Sequence, residues 1–254
     1  MGVENAVLWG AEHQDVAATD VRPVGDDVAL GLARGWRPKP YWYLDPNEDA
    51  VAAVIGPRAT LLVVADGHSG VEASHASVRA VLDHFGDDPP PADLLDVELV
   101  ELYEVAERAV LEATRNEPAP RHDSRTTLVV ALLAGRRLQW CSLGDSVLMV
   151  VTDEAGMQLS SDAHSFVGSH LTPRDVDALV SRGSAEVHER AWVVLASDGY
   201  TNYSPSGVSP ADATSVCLRG VSAPTEAASA LLELARTGGA GDNVAVAVMA
   251  PQAS

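Results

Sequence analysis

The stretch Thr60-Leu61-Leu62-Val63-Val64-Ala65-Asp66-Gly67-His68-Ser69-Gly70 decides the fold. Leu61 to Ala65 is apolar without polar alternation, which reads as a strand buried on both faces. Asp66-Gly67 ends it. Such a strand needs a layer on each side. Two helices follow it. Val71 to Phe85 sets Val78, Val81, Leu82 and Phe85 on one face. Leu94 to Arg115 repeats Leu95, Leu99, Leu102, Ala106, Ala109 and Ala113 at steps of three and four. Further strand-like runs are Val51 to Ile55, Thr126 to Ala134, Leu138 to Leu143, Val147 to Thr152, Ala191 to Ala196 and Val244 to Met249, with Asn5 to Trp9 near the start.

Thr172 as N-cap, Pro173 at N1 and Asp175 at N3 open a shorter helix that stops near Gly183. Pro210 to Leu218 and Thr225 to Arg236 read as helices, the latter ended by Gly238-Gly239. Gly25 to Pro46, rich in Gly, Pro and aromatics, reads as a long loop. Many gaps between strands have hairpin length, which argues against a pure βαβ winding. The expected class is α+β: buried antiparallel sheets covered by helices.

Composition excludes several functions. The chain has 254 residues, 17 basic and 36 acidic, for a formal charge of −19. No cationic surface for nucleic acid or an anionic membrane is expected from that balance. A hydrophobic content of 46% argues for a packed core. An apolar run such as Leu128 to Ala134 is too short to span a bilayer, and none is longer. No basic segment precedes Glu4, so no signal peptide is expected. Cys141 and Cys217 read as reduced thiols, consistent with a cytoplasmic location. Lys39 is the only lysine, which together with abundant Ala and Gly suits a GC-rich bacterial genome.

Acidic residues stand at the strand ends. Asp66 and Asp198 each close an apolar run, Asp145 follows Cys141 to Gly144, and Asp242 opens Val244 to Met249. Asn47-Glu48-Asp49 precedes Val51. Asp-Gly is ordinary turn chemistry when met singly. Antiparallel pairing, however, can bring these carboxylates to one edge, where they repel unless cations neutralise them. Oxygen ligands without His or Cys suit Mg²⁺ or Mn²⁺. His122, His164, His170 and His188 show no metal-ligand spacing, and there is neither a Gly-x-Ser-x-Gly elbow nor a Walker loop. The aromatics from Trp36 to Tyr43 read as a loop folded on its own core, with a protein-binding edge as the alternative.

Six blocks carry a family resemblance: Asn47-Glu48-Asp49-Ala50, Val64 to Gly70, Ser124-Arg125-Thr126-Thr127, Leu143-Gly144-Asp145-Ser146, Leu195-Ala196-Ser197-Asp198-Gly199 and Gly241-Asp242-Asn243-Val244. In this order the chain resembles the metal-dependent type-2C protein Ser/Thr phosphatases. The resemblance implies a four-layer α/β/β/α sandwich with two central antiparallel β-sheets. It implies one phosphatase-like domain over residues 1–254, with a divergent strand and loop region at 1–46 and a motif-bearing core at 47–250.

It also implies two Mn²⁺ or Mg²⁺ ions. Asp66 would bridge them and Gly67 would give a carbonyl to one, while Asp198 and Asp242 complete the other's shell. Glu48 and Asp49 would hold metal-bound waters. Asp145 matches a third, weaker site. Asn243 is expected to support Asp242 and the strand start. The implied reaction is hydrolysis of phosphoserine and phosphothreonine in proteins by a water between the two cations, with His68 as general acid. The implied partner is a phosphoprotein, in opposition to bacterial Ser/Thr kinases.

Three positions depart from the family. Leu44 stands where an Arg grips phosphate, Val147 follows the Gly-Asp-Ser block in place of Arg, and Asn202 replaces a third-metal Asp. Arg37 or Lys39 is the candidate replacement for the phosphate grip. The region from Asp162 to Arg190 is short for the family's flap. Two alternatives therefore stand beside the active enzyme: a pseudophosphatase that binds phosphoprotein without turnover, and a phosphatase of small phosphomonoesters.

Overall fold

The structure is a computed structural model describing residues 2–37, 39, 45–86, 88–161 and 164–250. In chain order its strands begin with β1 (Glu4–Trp9), β2 (Thr19–Val24), β3 (Val28–Ala33), β4 (Ala50–Ile55), β5 (Thr60–Ala65) and β6 (Gly67–His68). Then come β7 (Arg125–Thr126), β8 (Leu128–Ala134), β9 (Arg137–Leu143), β10 (Val147–Val151), β11 (Gly156–Gln158), β12 (Ser181–Glu186), β13 (Trp192–Ala196) and β14 (Val244–Met249). The helices are α1 (Glu72–Phe85), α2 (Asp96–Thr114), α3 (Pro173–Leu179), α4 (Asp198–Thr201), α5 (Pro210–Leu218) and α6 (Pro224–Gly238).

Two six-stranded sheets form the centre, in the orders β1-β4-β5-β8-β9-β12 and β11-β10-β13-β14-β3-β2. Every pairing within them is antiparallel. The period of two along β5 explains its apolar run. Leu61, Val63 and Ala65 face the core shared with α1 and α2, through Val78, Val81, Leu99 and Leu102. Leu62 and Val64 face the other sheet, where Leu30, Leu32, Ala245 and Ala247 meet them. A third core packs Val194, Ala196 and Val246 under Ala227, Leu231 and Ala235 of α6. The four layers α/β/β/α are thus present as expected.

Several boundaries differ from expectation. The supposed loop from Gly25 to Pro46 contains β3, buried along its whole length between β14 and β2. Its Gly31 is required by close approach, since a Cβ there would lie 2.8 Å from Val246. That mid-strand glycine and the Gly, Pro and aromatic content around it hid the strand. The strand expected from Thr126 breaks at Thr127 into β7 and β8. Helix α3 has the expected Thr172 cap but ends at Leu179, and β12 takes up the residues that follow. In α2 the buried face is Leu99, Leu102, Tyr103, Ala106 and Val110, while Leu95 is exposed. Trp36 packs against the α6 core. Tyr41, Trp42, Tyr43 and Leu44 lie outside the described residues. Both cysteines are free thiols. Among the described residues no helix is long and apolar enough to cross a membrane.

Candidate metal centre

Strand ends assemble the acidic cluster. Asp66 leaves β5, Asp145 occupies the turn between β9 and β10, Asp198 opens α4 directly after β13, and Asp242 precedes β14. One carboxylate oxygen from each of Asp66, Asp145 and Asp198 lies within 4.8 Å of the others. Asp49, just before β4, and Asp242 are near enough for their charges to act on Asp66. The Asp198-Gly199 turn approaches the start of β14 so closely that a Cβ on Gly199 would stand 1.8 Å from the Asn243 carbonyl oxygen.

The Ser124–Thr127 block fixes the backbone of Asp66. Thr127 Oγ1 accepts from the Asp66 N–H at 3.1 Å, and Thr126 Oγ1 donates to the Asp66 carbonyl at 2.7 Å. Thr127 Oγ1 also meets Ser146 Oγ at 2.6 Å, which ties in the turn that carries Asp145. Asn243 ties the entry of β14 to the segments after β3 and before β4. Its Nδ2 donates to the carbonyls of Arg34 and Pro46, and its Oδ1 accepts from the Glu48 N–H.

The carboxylates of the cluster act on one another's charge. Burial, then the charges of Asp49, Asp198 and Asp242, push Asp66 well above the usual carboxylate range. Burial, then Asp242, does the same to Asp49. Burial also raises Asp198, and the charges of Asp242 and Asp145 act in the same direction. Among the described residues, Asp49 Oδ2, Asp66 Oδ2 and Asp145 Oδ1 are buried without a hydrogen-bond partner. Orphaned hard oxygens beside mutually repelling carboxylates fit a divalent cation.

Two candidate site residues, Glu48 and Lys39, pair with each other. Both oxygens of Glu48 are engaged: Oε1 accepts from the Gly70 N–H, and Oε2 accepts from Lys39 Nζ at 2.8 Å. Glu48 is thus tied to Gly70 and Lys39, and among the described residues Asp49 Oδ2 has no hydrogen-bond partner. Lys39 Nζ also bonds Asn243 Oδ1 at 2.6 Å and lies 3.5 Å from Asp242. So held, Lys39 is a counter-ion beside the cluster. Burial opposes its charge, yet Glu48, then Asp242 and Asp49, hold its pKa above 10.5. Arg37 is exposed along the Gly239 to Gly241 turn, and among the described residues no carboxylate pairs with it.

His68 is half-buried beside the cluster, its Nδ1 3.1 Å from the Gly67 carbonyl and 3.9 Å from Asp66 Oδ1. A carbonyl only accepts, so Nδ1 carries the hydrogen and Nε2 is the nitrogen free to act. The sequence reading missed two further features. Arg121 clamps Asp45 and Glu72, and so joins the segment before β4 to the start of α1. Arg125 is paired with His68 across β6 and β7. It was visible as an Arg inside the Ser-Arg-Thr-Thr block, but only the pairing gives it a neighbour.

A carboxylate-lined edge on an α/β/β/α sandwich, with a histidine beside it, is an arrangement that could hold a divalent cation. The chain belongs to the protein phosphatase 2C family, whose model matches residues 45–235. It is 30% identical over 227 residues to the serine/threonine protein phosphatase PstP of Mycobacterium tuberculosis, across 80% of this chain and 41% of that protein. It thus spans about two fifths of the PstP length it matches. Among solved structures, its fold is like the PstP catalytic domain in complex with two manganese ions (TM-score 0.68, 23% identity, 99% of this chain and 100% of that one). It is also like the S. agalactiae serine/threonine phosphatase (TM-score 0.72, 17% identity, 92% and 100%).

Proposed function

We propose that this chain is a metal-dependent phosphatase of phosphoserine and phosphothreonine in proteins. The observation that carries this reading is the convergence of Asp66, Asp145 and Asp198 within 4.8 Å, with orphaned buried oxygens on two of them. Asp66, Asp198, Asp145 and Asp242 would hold the cations, with the Gly67 carbonyl adjacent and Asp49 turned to their water shell. When bound, two Mn²⁺ or Mg²⁺ ions supply Lewis acidity and a hydroxide nucleophile near neutral pH. As the doubly protonated ring, His68 would donate from Nε2 the proton that the leaving serine or threonine oxygen requires, and would be left with the Nδ1 hydrogen on the Gly67 carbonyl. Arg37, exposed and without a carboxylate partner among the described residues, offers a guanidinium to the phosphoryl oxygens. The free cysteines are in keeping with action in a reducing cytoplasm, opposite a Ser/Thr kinase.

The test is hydrolysis of an aryl phosphate and a phosphoserine peptide, with and without Mn²⁺, in wild type, Asp198→Asn and His68→Ala. Asp198→Asn should abolish both activities. His68→Ala should slow the peptide by about 10²- to 10⁴-fold and the aryl phosphate far less, because a nitrophenolate leaves without a proton. Equal losses on the two substrates would remove His68 from the acid role. One observation favours the second reading, a phosphoprotein-binding module without turnover: the ammonium of Lys39 already sits among the carboxylates. Calorimetry showing no Mn²⁺ binding at millimolar concentration would select it.

A further inference from the structure

Beside His68 and away from the carboxylates lies a pocket of about 390 Å³ lined by Ser69, His122, Asp123, Arg125, Ser169 and His170, among others. It is a built feature. One side of it is Arg125 of the β6–β7 ribbon, in which His68 pairs with Arg125 and Gly67 with Thr126. Directly opposite residues of an antiparallel pair put their side chains on the same face, so Arg125 flanks the imidazole of His68. The far wall is the 166–171 segment. It is bound to Thr126 by the Val167 bridge, with N···O distances of 2.8 and 3.0 Å. Buried Glu107 of α2 anchors it again by accepting from the N–H groups of Gly168 at 2.6 Å and Leu171 at 2.9 Å. Phe166 links the two parts. The Arg125 guanidinium lies 4.9 Å from its ring centre, and the His68 ring lies 5.1 Å away on a tilt.

Backbone strain concentrates at the same place. Three described residues other than glycine have positive φ, and two of them, Ser69 at 66° and His170 at 58°, line this pocket. Such conformations persist where surrounding structure holds them, and they gather at functional sites. The charge is also distinctive. Asp123, the one carboxylate among the lining residues, is paired with His122 Nε2 at 3.1 Å. Among the described residues, Arg125 has no carboxylate partner and makes only the contact with Phe166. An exposed guanidinium with no carboxylate partner among the described residues, in a protein of net charge −19, is suited to an anion in an otherwise repelling field.

We infer that Arg125 and this pocket select phosphoprotein substrates that carry a second anionic group, a carboxylate or a further phosphate, close in sequence to the phosphorylated residue. The inference rests on the phosphatase reading above and adds substrate selection to it. Arg125 acts on the flanking side chain, while the phosphoryl group stays with the carboxylate cluster and His68.

The experiment compares Mn²⁺-loaded wild type, Arg125→Gln and Arg125→Lys on phosphoserine peptides that differ at one flanking position: Ala, Glu, Lys or a second phosphoserine, placed before or after the target. The readout is the ratio of kcat/KM between peptides within each variant, so general loss of activity cancels. Wild type should favour Glu over Ala by about tenfold on one side of the target, and the second phosphate by more. Lys should fall below Ala. Raised salt should shrink the preference. Arg125→Gln should bring Glu and Ala within twofold, and Arg125→Lys should keep part of the ratio. A wild-type ratio near one on both sides, or an unchanged ratio in Arg125→Gln, overturns the inference. Absence of aryl phosphate hydrolysis would instead defeat the phosphatase reading. In that case fluorescence polarisation of the labelled Glu and Ala peptides reads the same preference as binding.

Discussion

Lys39, the only lysine in the chain, places its Nζ 2.8 Å from Oε2 of buried Glu48. Asn243 Oδ1 at 2.6 Å and Asp242 at 3.5 Å complete its surroundings. A tethered cation therefore already offsets part of the charge that a divalent ion would offset. Lys39→Met should lower the melting temperature of the metal-free protein, because breaking a buried pair leaves Glu48 uncompensated, at about 3–5 kcal/mol. It should also tighten Mn²⁺ binding by roughly five- to tenfold, since one repelling positive charge is gone. Calorimetric Mn²⁺ titration and melting in chelator measure both. An unchanged Mn²⁺ affinity would show that the ammonium does not oppose the cation.

Asp66 carries the opposite expectation. Burial and three neighbouring carboxylates hold it well above the usual range, so its charge destabilises the metal-free fold at neutral pH. Asp66→Asn keeps the shape, removes that charge and presents an amide donor toward Asp198. The metal-free protein should gain about 1–3 kcal/mol, a rise of a few degrees in melting temperature. The additional rise that Mn²⁺ gives wild type should vanish. A lower metal-free melting temperature in Asp66→Asn would contradict the repulsion argument.

How much of this was legible in the residues varies with the physical signal. The β5 run and its Asp66-Gly67 stop were readable because a strand covered on both faces must be apolar throughout. The convergence of Asp66, Asp145 and Asp198 was readable as strand-end chemistry, and the family resemblance assigned the ligands. The strand Val28–Ala33 was hidden because Gly31 answers to Val246 across the sheet pairing. The pairing of Lys39, a candidate phosphate contact beside Arg37, with Asn243 and Asp242 was hidden because these partners lie more than two hundred residues away in sequence. Arg125 was quoted within its block, but no sequence rule says that it pairs with His68.

His75 of α1 gives a pH dependence outside the metal site. It is buried with its ring 4.8 Å from Trp9, and Arg79 lies over the same indole. Burial, then the charge of Arg79, lowers its pKa from 6.5 to about 4, against a smaller opposing pull from Asp45. The folded state thus resists a proton that the unfolded chain accepts between those values. Stability from this group is fully present above pH 6.5 and is lost as pH falls toward 4, at about 1.4 kcal/mol per pH unit. Urea unfolding should show wild type losing about 3 kcal/mol relative to His75→Phe between pH 7 and pH 4. Parallel curves for the two proteins would mean that His75 protonates in the fold.

Asn202 offers the last test, at the open side of the cluster. Its Nδ2 donates to Asp198 Oδ2 at 2.9 Å, so the amide holds Asp198 in place and adds no charge to the Asp66, Asp145 and Asp198 group. Asn202→Asp turns that donor into a fourth carboxylate. Without metal the new charge repels Asp198, whose ionised form is already disfavoured by burial, and the melting temperature should fall by a few degrees. With metal the sign reverses. A carboxylate is a better ligand for Mg²⁺ or Mn²⁺ than a neutral amide, and Asp145 and Asp198 are already in position to share an added ion. Mn²⁺ titration should then rise from two bound ions to three, and the stabilisation by saturating Mn²⁺ should exceed that of wild type. Asn202→Gln serves as the control, because it keeps the amide without adding charge. If Asn202→Asp and Asn202→Gln bind the same number of ions with the same affinity, Asp145 and Asp198 do not form a further cation site, and the amide at 202 serves only to orient Asp198.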